Sequence, residues 1–460
     1  MCGVFGAFSK NGQSVLEDVY LGLYALQHRG QESAGIAWVT KNAGLYGLRV
    51  SKGMGLVHLA LDQKELASSY SNCAIGHTRY STAGGSFLSN AQPITANYSR
   101  GSVAIAHNGN ITNATGIRRY LENRGAIFQS TSDTETILHL MAHQSHKPPL
   151  DALISALRTL RGAYSLAVII NNRLVAARDP WGFRPLLLGK RGETTYVASE
   201  SCALDIVGAT LIRDIKPGEV LVIDSEGEKS LLIPKETDRK FICAFEYVYF
   251  ARPDSFLDGK SVYDVRKKLG HKLAQKAPCP QADIVTGMPD SGTISAMGYA
   301  EESGLLYEKA IVRNRYVGRT FIEPTQRVRK LGVKIKLNPI GEILKGKKVV
   351  IVDDSIVRGT TVQRVIAMVR ESGAKEVHIR IASPPVKFPC YYGIDTPTSE
   401  ELAAAKMNVE GLCKDIGADS LSYLSIEDML EAIGLPPNNV CTACFSGDYL
   451  NGGKEDELDL

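Results

Sequence analysis

The residue with the most obvious chemical potential is Cys2, which directly follows Met1. If Met1 is removed, Cys2 carries both a thiol and a free α-amine. An α-amine with a pKa of about 8 can accept the thiol proton without help from another side chain. This would make Cys2 an N-terminal nucleophile. The alternative is that Met-Cys is a chance pair, and the pair taken alone favours that alternative.

Three later segments contain the residue types that such a nucleophile would need. Arg79 lies in the run GHTRYST, and its fork suits bidentate binding of a carboxylate. Asn108 and Gly109 lie in HNGN, which is first of all a hairpin signal but could also supply an oxyanion hole. Asp133 lies at a predicted helix start, as a plain N-cap or as a partner for a ligand amine. Together these groups would hold the backbone end of a free amino acid while the thiol attacks its side-chain amide.

These segments resemble the glutaminase domain of N-terminal-nucleophile amidotransferases. The motifs that carry the resemblance are CGVFGAF, LQHRGQESAG, GHTRYST, AHNGNI, SDTE and RDPWGFRPL. The resemblance implies an αββα sandwich that releases ammonia from glutamine through a γ-glutamyl thioester. It implies that Cys2 is the nucleophile and that Asn108 and Gly109 form the oxyanion hole. It also implies that Arg79 and Asp133 hold the carboxylate and amine of glutamine.

The second group of chemical residues lies in the run VVIVDDSIVRGTT, residues 349–361. An apolar strand ends in Asp353 and Asp354, and a Ser/Thr/Gly loop and a predicted helix follow. Ligands bind at the carboxyl ends of strands in open α/β sheets, and the loop and helix N-terminus favour a phosphate. The adjacent carboxylates would repel that phosphate unless sugar hydroxyls or a divalent cation bind them. An ordinary strand-to-helix turn with an Asp cap is the less specific alternative.

This run resembles the phosphoribosyl pyrophosphate loop of type I phosphoribosyltransferases. The residues that would bind this substrate are Asp353, Asp354, Ser355, Arg358, Gly359, Thr360 and Thr361. The loop TGMPDSGT resembles the pyrophosphate loop of these enzymes, and the resemblance implies that Ser291, Asp353 and Asp354 help to hold Mg²⁺. Residues 313–336, with eight Arg or Lys and one Glu, are either a solvated face or, by resemblance, a flexible lid.

Both halves together resemble the glutamine phosphoribosylpyrophosphate amidotransferases, over almost the whole chain. That family implies synthesis of 5-phosphoribosylamine from glutamine and phosphoribosyl pyrophosphate, the first step of de novo purine synthesis. It also implies feedback inhibition by purine nucleotides and a homotetramer or homodimer. Two rival functions are a different ammonia acceptor, as in glucosamine 6-phosphate synthase, and a non-catalytic sensor of phosphoribosyl pyrophosphate. The Asp353-Asp354 loop argues against the first rival, and Cys2 with its three partner segments argues against the second.

Four cysteines form a third candidate site. The chain has nine cysteines, an odd number that argues against a disulfide framework. Four thiolates could hold either Zn²⁺ or a [4Fe–4S] cluster, and a single C-x-x-C pair does not distinguish them. The surrounding residues resemble the branch of the family with a structural [4Fe–4S] cluster. That resemblance implies the ligands Cys243, Cys390, Cys441 and Cys444.

The elements that must position these residues fit two domains. The length of 460 residues, 44% apolar and 22% charged, indicates a globular protein of two or three domains. Short strands with helical stripes between them fill the first half, and the resemblance implies that residues 2–235 form the αββα glutaminase domain. Alternating strands and helices predict an α/β phosphoribosyltransferase domain over residues 236–450, followed by a flexible acidic tail at 451–460. The candidate parallel strands are 284–286, 311–312, 349–352 and 377–381.

Charge and hydropathy exclude several classes of partner. The net charge of +4 arises from 53 basic and 49 acidic residues, and it gives no case for nucleic acid. No apolar run is long enough to span a bilayer. The first ten residues do not resemble a secretory signal, so we expect a cytoplasmic enzyme.

Overall fold

The computed structural model describes residues 1–42, 45–81, 84–234, 239–314, 336–396 and 398–450. The strands of the first half are β1 (Gly3–Ser9), β2 (Ser33–Asn42), β3 (Leu45–Met54), β4 (Cys73–Arg79), β5 (Ile94–Tyr98), β6 (Gly101–Ile111), β7 (Gly162–Ile170), β8 (Arg173–Arg178), β9 (Leu187–Arg191), β10 (Thr194–Ala198), β11 (Thr210–Asp214), β12 (Glu219–Asp224) and β13 (Gly227–Leu232). Its helices are α1 (Leu16–Ala25), α2 (Val57–Ala60), α3 (Gln63–Ser68), α4 (Ala114–Glu122), α5 (Glu135–His143), α6 (Pro149–Thr159) and α7 (Cys202–Ile206).

Two antiparallel sheets pack face to face in the first half. One has seven strands in the order β11-β9-β10-β1-β4-β2-β3, and the other has six in the order β13-β12-β8-β7-β6-β5. In β1, Val4 and Phe8 join the apolar cluster between the sheets, while Phe5 joins the cluster that contains α1. Helices α4, α5 and α6 cover the outer face of the second sheet. The four layers confirm the predicted αββα sandwich.

The second half has a parallel sheet. Its strands are β14 (Ile242–Cys243), β15 (Phe256–Leu257), β16 (Lys260–Ser261), β17 (Ile284–Gly287), β18 (Leu306–Tyr307), β19 (Ile311–Arg313), β20 (Leu337–Pro339), β21 (Lys348–Asp353), β22 (Glu376–Ile381), β23 (Ser420–Tyr423) and β24 (Val440–Cys441). Its helices are α8 (Val262–Lys276), α9 (Thr293–Ser303), α10 (Gly341–Leu344), α11 (Thr360–Glu371), α12 (Ala403–Lys406), α13 (Val409–Ile416), α14 (Ile426–Ile433) and α15 (Ala443–Ser446). Five strands pair in parallel in the order β18-β17-β21-β22-β23. The predicted α/β class of this half is confirmed.

One predicted strand lies elsewhere. Residues 311–312 were expected in the parallel sheet, but they belong to β19, which pairs antiparallel with β20 in a separate ribbon. Helix α1 ends at Ala25, and a turn leads from there to Gly30.

The predicted domain limit and tail lie partly or wholly outside the described residues. The limit at 235/236 falls in the gap between Pro234 and Arg239, and residues 451–460 are not described. Both remain predictions. Within the described residues, no helix combines the length and the apolar composition needed to cross a membrane.

Candidate functional site

Cys2 lies at the entrance to β1, beside the end of β6. It is 7% exposed, and its backbone nitrogen donates to Oδ1 of Asn108 at 3.2 Å. This hydrogen bond orients the Asn108 amide so that Nδ2 is its free end. Nδ2 is buried and has no hydrogen-bond partner among the described residues. A buried donor without a partner is costly unless a ligand oxygen completes it, so this atom fits the predicted oxyanion hole.

The hairpin alternative for Asn108 and Gly109 is wrong. Strand β6 runs through both residues and pairs with β7 as far as Ile111. Gly109 has a φ of +154°, and a Cβ there would lie 2.0 Å from the carbonyl oxygen of Ala163. A larger residue would therefore collide with the neighbouring strand. The sheet, not a turn, places the two predicted oxyanion residues beside Cys2.

Arg79 ends β4 and is 3% exposed. Its Nη1 donates to the carbonyl oxygen of Gly85 at 3.2 Å and lies 3.7 Å from Oε2 of Glu32. The hydroxyl and backbone nitrogen of Ser81 also bind the Glu32 carboxylate, both at 3.0 Å. These contacts fix the guanidinium at the end of β4, an interior strand of the first sheet, where it can meet a carboxylate.

Asp133 is not the plain helix cap of the alternative interpretation. Thr134 occupies the cap position of α5, and its backbone nitrogen donates to Oδ1 of Asp133 at 2.8 Å. Oδ2 accepts from the backbone nitrogen of Ile111 at 2.9 Å and lies 3.8 Å from Nδ1 of His107. Burial disfavours charge on both side chains, but their attraction and hydrogen bonds hold the pKa of Asp133 below its ordinary value and that of His107 above. Asp133 is therefore an anion that can receive an ammonium group.

A cavity of about 350 Å³ opens beside Asp133. Its walls come from β6, α4 and the segment before α5, and Tyr391 of the second half closes one side. The residues that contact this space are polar for the most part, with Asn110, Thr115, Arg118 and Ser132 among them. A small polar ligand can enter beside the Asp133 carboxylate.

Asp353 and Asp354 lie where β21 ends, as predicted. They are 7% and 6% exposed, and the backbone nitrogen of Asp354 donates to Oδ1 of Asp353 at 2.8 Å. Burial raises the pKa of both carboxyls, and their mutual repulsion raises the pKa of Asp353 further. A cation or sugar hydroxyls would relieve this cost.

The loop after Asp354 leads into α11, the helix that the sequence predicted. Gly359 caps the helix with a φ of +79°. Thr360 and Thr361 are the first helical residues and are exposed, as is Arg358, which lies 3.3 Å from Glu401. Ser355 hydrogen-bonds Asp354. Exposed hydroxyls and backbone at a helix N-terminus suit an anion.

Residues 288–292 follow the neighbouring strand β17 and pack against the end of β21. Ser291 hydrogen-bonds Asp354, and a Cβ on Gly292 would lie 2.3 Å from the carbonyl oxygen of Val352. Arg313, which the sequence assigned only to the general lid, contacts Asp290 in this loop at 2.5 Å. Residues 315–335, most of the predicted lid, lie outside the described residues.

The four predicted cluster cysteines come from distant parts of the chain and meet near the domain junction. Cys243 and Cys441 are register partners of β14 and β24, and Cys444 lies on α15. Burial raises the pKa of Cys243 to about 11, and burial and neighbouring thiols raise the pKa of Cys441 and Cys444. Across the described ranges, no set of three or more His, Cys, Asp or Glu side chains is arranged to hold a metal ion. The thiols are neighbours, but they do not form a closed ligand set.

A buried charge network behind Cys2 was not predicted from the sequence. Nε of Arg29 donates to the carbonyl oxygen of Cys2 at 2.9 Å, and its Nη2 contacts Glu246 at 2.8 Å. Arg29 also pairs with Glu200, and Arg184 lies 3.4 Å from Glu246. The two arginines lie inside quoted motifs but gave no local signal of this network. The acidic partners of Arg29 lie 171 and 217 residues away, and Glu246 lies 62 residues from Arg184.

Comparison with known proteins agrees with the two predicted domain types. Residues 77–205 match the family described as glutamine amidotransferase domain, and residues 283–382 match the phosphoribosyl transferase domain. The chain is 47% identical over 453 residues to the amidophosphoribosyltransferase of Bacillus subtilis, covering 97% of this chain and 94% of the relative. It is 48% identical over 450 residues to the chloroplastic amidophosphoribosyltransferase 1 of Arabidopsis thaliana, covering 97% and 78%. A solved structure of glutamine phosphoribosylpyrophosphate amidotransferase from B. subtilis, complexed with ADP and GMP, superimposes with a TM-score of 0.90 at 46% identity over 97% of both chains.

Proposed function

The chain belongs to the amidophosphoribosyltransferase family, and we propose that the Cys2 and Asp353 regions are the two half-sites of the family's reaction. That reaction is the first step of purine biosynthesis. It converts glutamine, phosphoribosyl pyrophosphate and water into 5-phosphoribosylamine, glutamate and pyrophosphate. The observation that carries the assignment of the first half-site is the partnerless Nδ2 of Asn108 beside Cys2.

The first half-site releases ammonia. After removal of Met1, the α-amine of Cys2 accepts the thiol proton, and the sulfur bonds to the amide carbon of glutamine. Nδ2 of Asn108 and the backbone N–H of Gly109 stabilise the oxyanion. The carbon–nitrogen bond then breaks, the amine returns its proton to the leaving ammonia, and a thioester remains. Water hydrolyses the thioester to glutamate and regenerates the thiol.

Arg79 and Asp133 position the substrate in this half-site. The buried guanidinium binds the α-carboxylate, and the Asp133 anion binds the α-ammonium. Both groups are held by contacts inside the first half, so they are set before glutamine arrives. Recognition of both charged groups at the backbone end of the amino acid selects glutamine over simple amides.

The second half-site binds phosphoribosyl pyrophosphate. Asp353 and Asp354 accept hydrogen bonds from its ribose hydroxyls. Its 5′-phosphate binds at Ser355, Gly359, Thr360, Thr361 and Arg358. Mg²⁺ would be held by Asp353, Asp354 and Ser291, and it would stabilise the negative charge of pyrophosphate. Burial raises the pKa of both carboxyls, and a bound cation would offset this cost because it favours their ionised form. The raised pKa values therefore support the proposal. Arg313 and the other cationic side chains of residues 313–336 assist departure of pyrophosphate. Ammonia reaches C1 of the phosphoribosyl group by a path inside the protein.

A structural [4Fe–4S] cluster on Cys243, Cys390, Cys441 and Cys444 is part of the proposal. The fit rests on two observations. The thiols of Cys243, Cys390 and Cys441 lie close enough to Cys444 to raise its pKa. Backbone groups also donate hydrogen bonds to sulfur, as from Tyr392 N to Cys390 Sγ at 3.3 Å. Bound iron would hold β24 and α15 against the start of the second half. Iron and sulfide analysis of anaerobically purified protein tests it, and stoichiometric zinc without sulfide would exclude it.

Regulation, assembly and location complete the proposal. We propose a cytoplasmic homotetramer or homodimer that purine nucleotides inhibit. The relative from B. subtilis was solved with ADP and GMP, and all nine cysteines here are free thiols. Light scattering with and without nucleotide measures the mass, and a monomer under both conditions would contradict the proposed assembly.

The function is tested by following glutamate and pyrophosphate together. Glutamate release should rise strongly when phosphoribosyl pyrophosphate and Mg²⁺ are added, with one pyrophosphate for each glutamate. Cys2→Ala should abolish glutamine use and retain ammonia-dependent phosphoribosylamine synthesis. Glutamate release that ignores phosphoribosyl pyrophosphate would contradict the proposal, as would binding of that substrate without turnover in protein that has lost Met1.

A further inference from the structure

A segment of the second half lies directly on the strand that carries the oxyanion residues. Gly393 has a φ of +101°, and a Cβ there would lie 2.8 Å from the carbonyl carbon of Gly109 and 2.9 Å from its Cα. The two backbones therefore touch with no side chain between them. One residue along the strand, Nδ2 of Asn110 donates to the carbonyl oxygen of Tyr391 at 2.9 Å.

The position of this segment is fixed by other contacts. Two nitrogens of Arg184 donate to the carbonyl oxygen of Tyr392 at 2.8 and 2.7 Å. The Tyr392 ring stacks on Phe183 with centroids 4.1 Å apart. The backbone nitrogen of Tyr392 donates to Sγ of Cys390. Residues 391–393 are thus held by the first half on one side and by the cysteine region on the other.

The end of β6 has little freedom to move away from this segment. Gly109 is so close to β7 that a Cβ would lie 2.0 Å from Ala163 O, and Ile111 N is bound to Asp133. The strand end is enclosed by β7 on one side and residues 391–393 on another. A shift of either support changes where Gly109 and the adjoining Asn108 amide point.

We infer that residues 391–393 position the oxyanion hole, so that glutamine hydrolysis is completed by the second half of the chain. This inference rests on the proposed role of Asn108 and Gly109. Tyr391 and Gly393 are positioning residues, since they act through Asn110 and Gly109. The arrangement makes ammonia release depend on docking of the domain that consumes ammonia.

Two substitutions test the inference through different contacts. Asn110→Ala removes the hydrogen bond to Tyr391, and Gly393→Ala inserts a methyl group against Gly109. Each should lower kcat for glutamine hydrolysis by about 10- to 100-fold, as expected for a small misplacement of catalytic groups, with little change in KM for glutamine. Ammonia-dependent synthesis of phosphoribosylamine should persist. Asn110→Gln, which keeps an amide donor, should recover part of the rate.

A chemical probe separates the oxyanion hole from the thiol. Inactivation by a diazoketone analogue of glutamine should slow in both variants, because its carbonyl oxygen must enter the oxyanion hole. Alkylation by iodoacetamide should keep its wild-type rate. Gly304→Ala is the matched control, since Gly304 has a φ of +71° but a Cβ there would meet no atom within 4 Å. It imposes similar backbone strain without a neighbour and should leave hydrolysis unchanged.

Three outcomes would overturn the inference. Unchanged kcat in both variants would show that the segment does not support the oxyanion hole. Equal loss of glutamine- and ammonia-dependent activity would assign the segment to folding instead. Asn108→Ala in the same assay tests the premise: the loss should be about 10²- to 10³-fold, and no loss would reject the proposed oxyanion hole and the inference together.

Discussion

At the scale of single residues, the clearest pH-sensitive feature is the pair formed by His107 and Asp133. Both side chains are buried beside the proposed glutamine site, and burial alone would favour their neutral forms. The attraction between the two side chains outweighs burial, so that the charged form of each is favoured. The pair therefore contributes to stability only where both side chains are charged.

His107→Gln should reduce stability in a pH-dependent way. The raised pKa of His107 means that its contribution is complete below the ordinary value of 6.5 and is lost as pH rises through the folded value. The lowered pKa of Asp133 means that its contribution is present above 3.8 and is lost in stronger acid. The Tm difference between wild type and variant should be largest between about pH 4 and 6.5. It should narrow by pH 9.

The control for this measurement is His143→Gln, at an exposed position on α5. Its Tm should follow that of the wild type across the same range. A His107→Gln penalty that stays constant with pH would show that packing and the bonds to Thr134 and Ala163, rather than charge, explain the role of His107.

At the scale of elements, the end of β21 carries two carboxyls that lower the stability of the fold and that we propose to bind ligands. The strand places two carboxyls at the edge of a buried parallel sheet, where ionisation is opposed by burial and by their proximity. An acid whose pKa is raised by folding destabilises the protein once pH exceeds its unfolded value. This cost is expected where a site is prepared for a cation or for sugar hydroxyls.

Asp353→Asn should therefore raise Tm at pH 8 while it removes activity with phosphoribosyl pyrophosphate. The side chain keeps its shape and the oxygen that accepts from Asp354 N, but it loses the unfavourable charge. A gain of about 1 kcal/mol would raise Tm by about 2–4 °C for a domain of this size. Scanning calorimetry at pH 8 and pH 4.5 measures the effect, which should be smaller in acid.

Magnesium provides the complementary measurement for Asp353→Asn. Adding Mg²⁺ with phosphoribosyl pyrophosphate at pH 8 should raise the Tm of the wild type more than that of the variant, because binding stabilises the ionised pair. A lower Tm for the variant at both pH values would mean that Asp353 holds the loop structurally.

Local patterns predicted the elements but not all of their partners. The apolar run at 349–352 lies in β21, because both faces of this strand are buried and the run is continuous. Residues 311–312 look the same in sequence, yet they form a separate ribbon. A two-residue apolar run carries no information about which strand it will pair with, since the pairing depends on segments that are distant in sequence.

The candidate site shows the same division. Cys2, Arg79, Asn108 and Asp133 can be proposed from the sequence because their residue types match the chemistry. Tyr391 was missed because its backbone oxygen is what contacts Asn110, across 281 positions. A backbone carbonyl leaves no mark in residue type, so its role becomes visible only when the fold brings the two halves together.

At the scale of the whole molecule, the two halves share one interior. A single apolar cluster includes Phe5 and Trp38 of the first half and Val285 and Val350 of the second. The charge network crosses the same junction, since Arg29 and Glu246 belong to different halves and Glu246 is 1% exposed. Joint burial of apolar and ionic groups predicts that the halves do not unfold independently.

Glu246→Gln tests this prediction because it removes one charge from the centre of the junction. Arg29 and Arg184 would remain buried with Glu200 as the remaining acidic partner in the network, and uncompensated burial of this kind costs about 3–5 kcal/mol. We expect a clearly lower Tm and slower glutamine hydrolysis, since Arg29 also holds the Cys2 carbonyl. Glu301→Gln, in an exposed pair with Lys267, is the control and should shift Tm little. If the Tm shift of Glu246→Gln instead matched that of this control, the charges at the junction would not contribute to its stability. The apolar cluster alone would then hold the two halves together.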